Sequence, residues 1–205
     1  GVVAAIGDRA AQRWGVDVGD RIAVETMLSC RHCGPCLGGS YHLCDSRRIY
    51  SYIPLSEGPG LWGSYAQYMY LDPNCVVHKV DPTLSPQTAV MFNPLGAGFR
   101  WAVEMPGTGP GDTVVIQGPG QRGLASVLAC REAGAKQIIV TGLEADASKL
   151  ELARAFGADA TIDVQKEDAL ERIMEITGGK GVDVVLDCTS GAGTAPILLG
   201  IEATK

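Results

Sequence analysis

Residues 113–134 read TVVIQGPGQRGLASVLACREAG. An apolar run over Thr113–Gln117 meets Gly118-Pro119-Gly120-Gln121-Arg122-Gly123, and a helical pattern follows over 124–133 with Gly134 to stop it. Gly-x-Gly-x-x-Gly alone is a weak signal, but between a strand and a helix it marks a dinucleotide-binding βα turn. Gly118 makes the tight turn, Gly120 lets the backbone approach a pyrophosphate, and Gly123 lets helix and strand pack closely. Free amides and the dipole of the first helical turn favour an anion there. Gln121 and Arg122 belong to the same cofactor-binding loop, and Arg122 can add a charge-assisted contact. The competing reading is a tight βα turn that binds nothing, with Arg122 in solvent.

The same texture continues downstream. Apolar runs at 137–141, Ala160–Asp163 and 182–186 alternate with helical patterns at 148–156 and around Ala169, Leu170, Ile173 and Met174. Only Asp183 interrupts the last apolar run. This alternation predicts right-handed βαβ units and a parallel sheet covered on both faces, a doubly wound Rossmann domain. Four strands are expected where such a domain commonly has six, and the chain stops at Lys205 in a predicted helix, so the C-terminal part of the domain is expected to be missing. The second strand should end in an acidic residue for a ribose 2′-hydroxyl, about 20 residues beyond the glycines. Gly142 stands there. Without a carboxylate a 2′-phosphate is permitted, hence NADP. Glu144 restores an NAD contact if its loop bends inward, and Lys149 follows. Both charges also suit a solvated loop. Thr189 and Ser190 follow the fourth strand at the carboxyl end of the sheet, where they either line a nicotinamide pocket or cap the next helix.

The first half of the chain reads differently. Short apolar runs at 2–6, 21–26, 64–71 and 75–80 are separated by turn residues such as Gly19-Asp20 and Asp72-Pro73-Asn74. They predict a small barrel or sandwich over residues 1–95, with the dinucleotide domain over 96–205, and Trp62, Tyr65 and Tyr68 as its packing. Within this half lies Cys30-x2-Cys33-x2-Cys36-x7-Cys44. Four thiolates close a tetrahedron around zinc, and a site with no open position is structural. An iron–sulfur cluster of bacterial type wants a three-residue last gap and a following proline, where this chain has seven residues and Asp45. A redox pair needs two cysteines, not four. His32 and His42 read as solvent-facing, and Cys75, Cys130 and Cys188 as single buried thiols. Such cysteine usage is not a secreted disulfide framework and points to a reducing compartment, the cytoplasm.

The chain has 205 residues, of which 46% are hydrophobic, enough for a real core. A net charge of −6 speaks against general nucleic-acid binding. No apolar run approaches the ~20 residues of a membrane helix. The opening GVVAAIG has no basic leader, and it begins with Gly inside a strand-like run, so upstream residues are expected to be missing.

The order of these signals, from GVVAAIG and VGDRIAV through the cysteine lobe, GSYAQY and GPGQRG to VDVVLDCTSG, resembles the zinc-containing alcohol dehydrogenases of the medium-chain dehydrogenase/reductase family. The resemblance implies a partly open, chaperonin-10-like (GroES-like) barrel before the dinucleotide domain. It also implies a second, catalytic zinc and hydride transfer between an alcohol or polyol carbon and NAD or NADP. A small-molecule substrate and a homo-oligomer, dimer or tetramer, are implied as well. Two positions depart from the pattern. The first catalytic-zinc ligand and a Gly-His-Glu motif would lie upstream of Gly1. The third ligand would open the helix joining the domains, where Asn93 stands in MFNPLG, and a neutral amide is a poor zinc ligand. Asn93 then lines the cleft, or it caps a helix beginning at Pro94. Two other readings remain: a zinc-independent reductase of the same family acting on a quinone or activated double bond, and a fragment that binds zinc or dinucleotide without turnover.

Overall fold

The computed structural model describes every residue from Gly1 to Lys205, and the chain divides into two compact units, Gly1–Val90 and Met91–Lys205. The first unit is built from short antiparallel ribbons. After α1 (Asp8–Trp14), β1 (Ile22–Val24) pairs with β4 (Val77–Lys79), with Ala23 opposite His78. Next to it β2 (Met27–Leu28) pairs with β3 (Arg48–Ile49). Gly1 to Val3 run beside Asp20 to Ile22, joined by the Val2–Arg21 bridge and by the Ile22 N–H donating to the Gly1 carbonyl at 2.9 Å. Two apolar clusters fill the unit, one around Val3, Val16 and Ile22, the other around Leu28, Tyr50, Ile53, Trp62 and Cys75.

Three sequence expectations fail in this half, the first being the run 2–6, of which only Val2 forms a bridge. Residues 64–71 form no strand, although Tyr70 N–H reaches the Leu61 carbonyl at 2.8 Å. Trp62 is buried as expected, but Tyr65 and Tyr68 are exposed. The alternation of apolar residues supplies one face for packing, yet a strand also needs a neighbour to complete its ladder.

In the second unit β5 (Thr113–Gln117), β6 (Gln137–Gly142), β7 (Ala160–Asp163) and β8 (Val184–Asp187) form one parallel sheet in the order β7-β6-β5-β8. That is the 3-2-1-4 half of the doubly wound order, with β5 as its first strand. Alternate residues of the strands point to opposite faces. Val114, Ile116, Ile138 and Val140 pack with α5 (Gln121–Glu132) and α6 (Ala147–Ala155) through Val127, Cys130, Leu150 and Ala153. Val115, Ile139 and Ile162 pack on the other face with α7 (Ala169–Thr177) and α8 (Ala195–Ala203) through Ile173 and Ala203. Each such fully buried Val or Ile contributes roughly 1.5–3 kcal/mol.

Asp183 sits just ahead of β8, where its carboxylate accepts the first N–H of β5, from Thr113, at 2.9 Å and pairs with Lys205 at 2.7 Å. The polar interruption of that run is therefore satisfied. The unit opens with helix rather than strand. Ser85 caps the short α3 (Pro86–Ala89) of the first unit, accepting from Thr88 N–H at 3.1 Å. Val90 and Met91 keep helical dihedrals, and α4 (Phe92–Phe99) follows, with a π-helical turn over Arg100–Glu104.

Gly98 lets α4 approach α5: a Cβ there would lie 2.7 Å from the Ala125 carbonyl carbon, whereas a Cβ on Gly96, in the same helix, meets nothing within 4 Å. Gly98→Ala is expected to destabilise the protein by about 1–3 kcal/mol through forced backbone shifts. Gly96→Ala should stabilise it by about 0.5–1 kcal/mol. Urea denaturation of the two variants checks this, and equal effects would contradict the packing account.

Candidate functional site

The cysteine lobe hangs between β2 and β3. Cys33 starts a four-residue helix, α2 (Gly34–Leu37), that carries Cys36, and a 3-10 turn, Tyr41–Leu43, delivers Cys44. The Ser40 N–H donates to the Pro35 carbonyl at 2.8 Å and folds the two turns together. The four Sγ atoms all lie within 4.8 Å of one another, with Cys30–Cys36 at 3.9 Å and Cys33–Cys36 at 3.4 Å, and none is in a disulfide. Zn–S bonds of about 2.3 Å in a tetrahedron put sulfurs about 3.8 Å apart, so the donor set and its spacing fit zinc with no open position.

The electrostatics of the cluster favour a cation. The Cys30 thiol is drawn down to about 6, chiefly by the backbone N–H of His32, with the N–H of Cys33 and the thiols of Cys33 and Cys44 assisting against burial. At Cys33 the backbone N–H of Cys36 favours the thiolate, but the Cys36, Cys30 and Cys44 sulfurs together with burial outweigh it and push the thiol up to about 12. Sulfurs this close cannot all carry charge unless a positive ion shares them.

Arg31 anchors the lobe, and nothing in the spacing of the cysteines announced it. It adopts the left-handed region, φ 63°, and its guanidinium donates to the Asn74 carbonyl at 2.8 Å and the Cys75 carbonyl at 3.0 Å. The backbone cost, of order 1–3 kcal/mol, is offset by these charge-assisted bonds. His32 is exposed and His42 half-buried edge-on to Tyr41. Neither belongs to the converging ligand group.

In the second unit the predicted cofactor residues gather at the carboxyl ends of the strands. Gly118 turns with φ 90°, its N–H bonds the Thr141 carbonyl at 2.9 Å, and a Cβ would lie 3.1 Å from the Cys188 carbonyl. A Cβ on Gly123 would fall 2.0 Å from the Gly118 oxygen. Gly120 caps α5 in extended conformation without a side-chain bond, and nothing lies within 4 Å of its Cβ direction. The amides of Gln121, Arg122 and Gly123 therefore begin α5 without intrahelical acceptors and without a side-chain cap. Arg122 is half-buried, and its guanidinium stacks on Trp101, 4.8 Å from the ring centroid.

The remaining candidates take individual places. Gly142 ends β6. Glu144 starts a 3-10 turn and pairs with Lys166 at 3.0 Å, and Lys149 on α6 pairs with Asp146 at 2.6 Å. Thr189 donates both its N–H (2.8 Å) and its hydroxyl (2.7 Å) to Asp187, the last residue of β8. It caps no helix, since α8 begins after Thr194. Asp187 was not singled out in the sequence, although a carboxylate ending a strand before Thr-Ser is a recognisable turn signal.

Asn93 is exposed and is the second residue of α4, after Met91 and Phe92. It does not cap a helix starting at Pro94, because α3 already hands the chain on in helical dihedrals and Pro94 falls at the third position, where its missing N–H has no intrahelical partner to lose. No second group of three His, Cys, Asp or Glu ligands converges in these residues.

Residues 1–81 match the family described as alcohol dehydrogenase GroES-like domain, and residues 123–198 the zinc-binding dehydrogenase family. The chain belongs to the zinc-binding alcohol dehydrogenases of the medium-chain dehydrogenase/reductase family. It is 50% identical, over 95% of its length and 54% of the relative's, to a Mycobacterium tuberculosis protein named "Probable alcohol dehydrogenase adh". It is 35% identical to the erythritol/L-threitol dehydrogenase of Mycolicibacterium smegmatis, over 96% of the chain and 52% of the relative. Among solved structures, an alcohol dehydrogenase of Thermotoga maritima superposes with a TM-score of 0.81 at 33% identity, over 92% of this chain and 52% of that one. The chain thus spans about half the length of the relatives it matches. No helix is long and apolar enough to cross a membrane.

Elemental analysis of the purified full-length protein is expected to find zinc bound by the lobe, and Cys44→Ser should lower the zinc content by about one ion per chain and the melting temperature with it. Unchanged zinc in Cys44→Ser, or a disulfide within the lobe of reduced protein, would contradict the assignment.

Proposed function

We propose that this chain forms the cofactor-binding and structural-zinc portions of an NAD(P)-dependent dehydrogenase that acts on the CH–OH group of an alcohol or polyol. The observation that carries the reading is the start of α5, which no side chain caps and where a Cβ added at Gly120 would meet nothing within 4 Å. That arrangement suits a pyrophosphate, which would take the place of the water that an uncapped helix start otherwise binds. The nicotinamide, when bound, accepts or donates the hydride at the alcohol carbon. The protein's own residues hold it: Gly118, Gly120 and Gly123 shape the loop, the amides of Gln121 and Arg122 take the phosphates, and Thr189, oriented by Asp187, borders the nicotinamide half. Cys30, Cys33, Cys36 and Cys44 would hold zinc that closes the lobe. The alcohol and polyol dehydrogenases among the relatives support the substrate class.

A second reading, a reductase of the same family that needs no catalytic zinc, is favoured by one observation. Asn93 offers a neutral amide at the family's third ligand position and is exposed there.

Full-length protein is expected to quench its tryptophan emission on binding NADH or NADPH, and Gly120→Trp should weaken that binding at least about tenfold by filling the space in front of the amides. A Gly120→Trp variant that binds as well as the parent would remove the cofactor from this loop. Hydride transfer from primary, secondary and polyhydric alcohols, followed at the nicotinamide absorbance, separates the two readings. Turnover with alcohols supports the first, and turnover only with quinones or activated double bonds the second.

A further inference from the structure

Gly142 ends β6 where a carboxylate for the ribose would stand, and a side chain there would press on Pro119 and Leu150. A Cβ at Gly142 would lie 3.0 Å from Pro119 Cγ and 3.1 Å from Leu150 Cδ2. The proline of the glycine loop fills the space, so an acidic group for the ribose has to come from beyond the strand.

The loops after β6 and β7 supply it. Glu144 Oε1 lies 3.0 Å and Asp163 Oδ2 3.2 Å from Lys166 Nζ. Backbone bonds hold the two loops together. Val164 N–H donates to the Gly142 carbonyl at 3.0 Å, and Glu144 N–H donates to Gln165 Oε1 at 2.9 Å. Asp146 closes the first loop on the Leu143 N–H at 3.2 Å while pairing with Lys149. Three carboxylates, from Glu144, Asp146 and Asp163, stand against two ammonium groups, from Lys149 and Lys166, and leave the patch one negative charge in excess.

We infer that Glu144, Lys166 and Asp163, joined across the carboxyl ends of β6 and β7, are specificity-determining residues that select NAD over NADP. The inference rests on the cofactor reading above. A ribose 2′-hydroxyl is a neutral donor that a carboxylate accepts, whereas a 2′-phosphate brings nearly two negative charges to a patch already negative. Lys166, the cation that would meet such a phosphate, is engaged by two carboxylates. They raise its pKa, Glu144 most, so its charge is constant at neutral pH and is answered twice. Each exposed pair is weak by itself. The excess of carboxylates therefore decides the outcome more than the geometry of any one pair.

Equilibrium binding of NADH and NADPH to the full-length protein at low salt, read by tryptophan quenching, tests this. The parent is expected to bind NADH about tenfold or more tighter than NADPH. Glu144→Gln removes one of the two carboxylates on Lys166 together with a charged acceptor for the ribose, and should tighten NADPH about fivefold while weakening NADH about threefold. Adding Lys166→Met to Glu144→Gln should abolish that gain. Both side chains are exposed on loops, and matching thermal melts show that the variants fold. A parent that prefers NADPH, a Glu144→Gln variant with unchanged NADPH affinity, or a gain that survives Lys166→Met overturns the inference while leaving the cofactor reading intact. A parent that binds neither cofactor overturns both.

Discussion

A methyl group on Gly123 would sit 2.0 Å from the carbonyl oxygen of Gly118, so α5 can leave β5 along its observed path only because position 123 has no side chain. The rest of the second unit is arranged around that approach. Gly118 bonds back to β6 through the Thr141 carbonyl and leaves room for the backbone of Cys188 beyond β8, so three strands meet at one loop. With α5 held close, the bare face of Gly98 lets α4 lie against it, and the buried residues of α5 and α6 reach Val114, Ile116, Ile138 and Val140. The same closeness aims the first amides of α5 out of the sheet at its carboxyl end, where no side chain satisfies them.

Charge imbalance is handled differently in the two units. In the cysteine lobe four sulfurs crowd a single point, and the upward push on the Cys33 thiol reflects how poorly negative charges tolerate one another at that distance. A divalent cation relieves this directly, and Arg31, strained into a left-handed backbone, ties the lobe to the carbonyls of Asn74 and Cys75. At the ends of β6 and β7 the excess is a single negative charge spread over exposed side chains. Water screens such a patch, so it shapes the choice between ligands without demanding an ion.

Most of the second unit was legible in the sequence. Thr113–Gln117 and Ala160–Asp163 are strands over the residues expected, and the helices ended by Gly134 and Gly157 lie within a few residues of their predicted spans. Buried parallel strands and amphipathic helices write their periods into consecutive residues. The first unit was less legible. Residues 64–71 alternate like a strand and pair at one point only, and Tyr65 and Tyr68 face solvent. The helix expected to start at Pro94 starts at Phe92, because a preceding capped turn had already set the chain in helical dihedrals.

The sequence by itself determined the cysteine spacing, the glycine loop and the alternation of strands with helices. Each depends on residues close along the chain and on conformations that their side chains, or lack of them, allow. Only the tertiary structure decided what occupies the space beside Gly142, that Arg122 stacks on Trp101, that Thr189 serves Asp187 rather than a helix end, and that Lys166 stands between Glu144 and Asp163. Most of these join residues from different strands, loops or helices. Even the Thr189 turn was chosen by where β8 ends and α8 begins. Contacts of a few ångströms between distant residues follow from how the sheet brings its loops to one edge, and no local period records that distance.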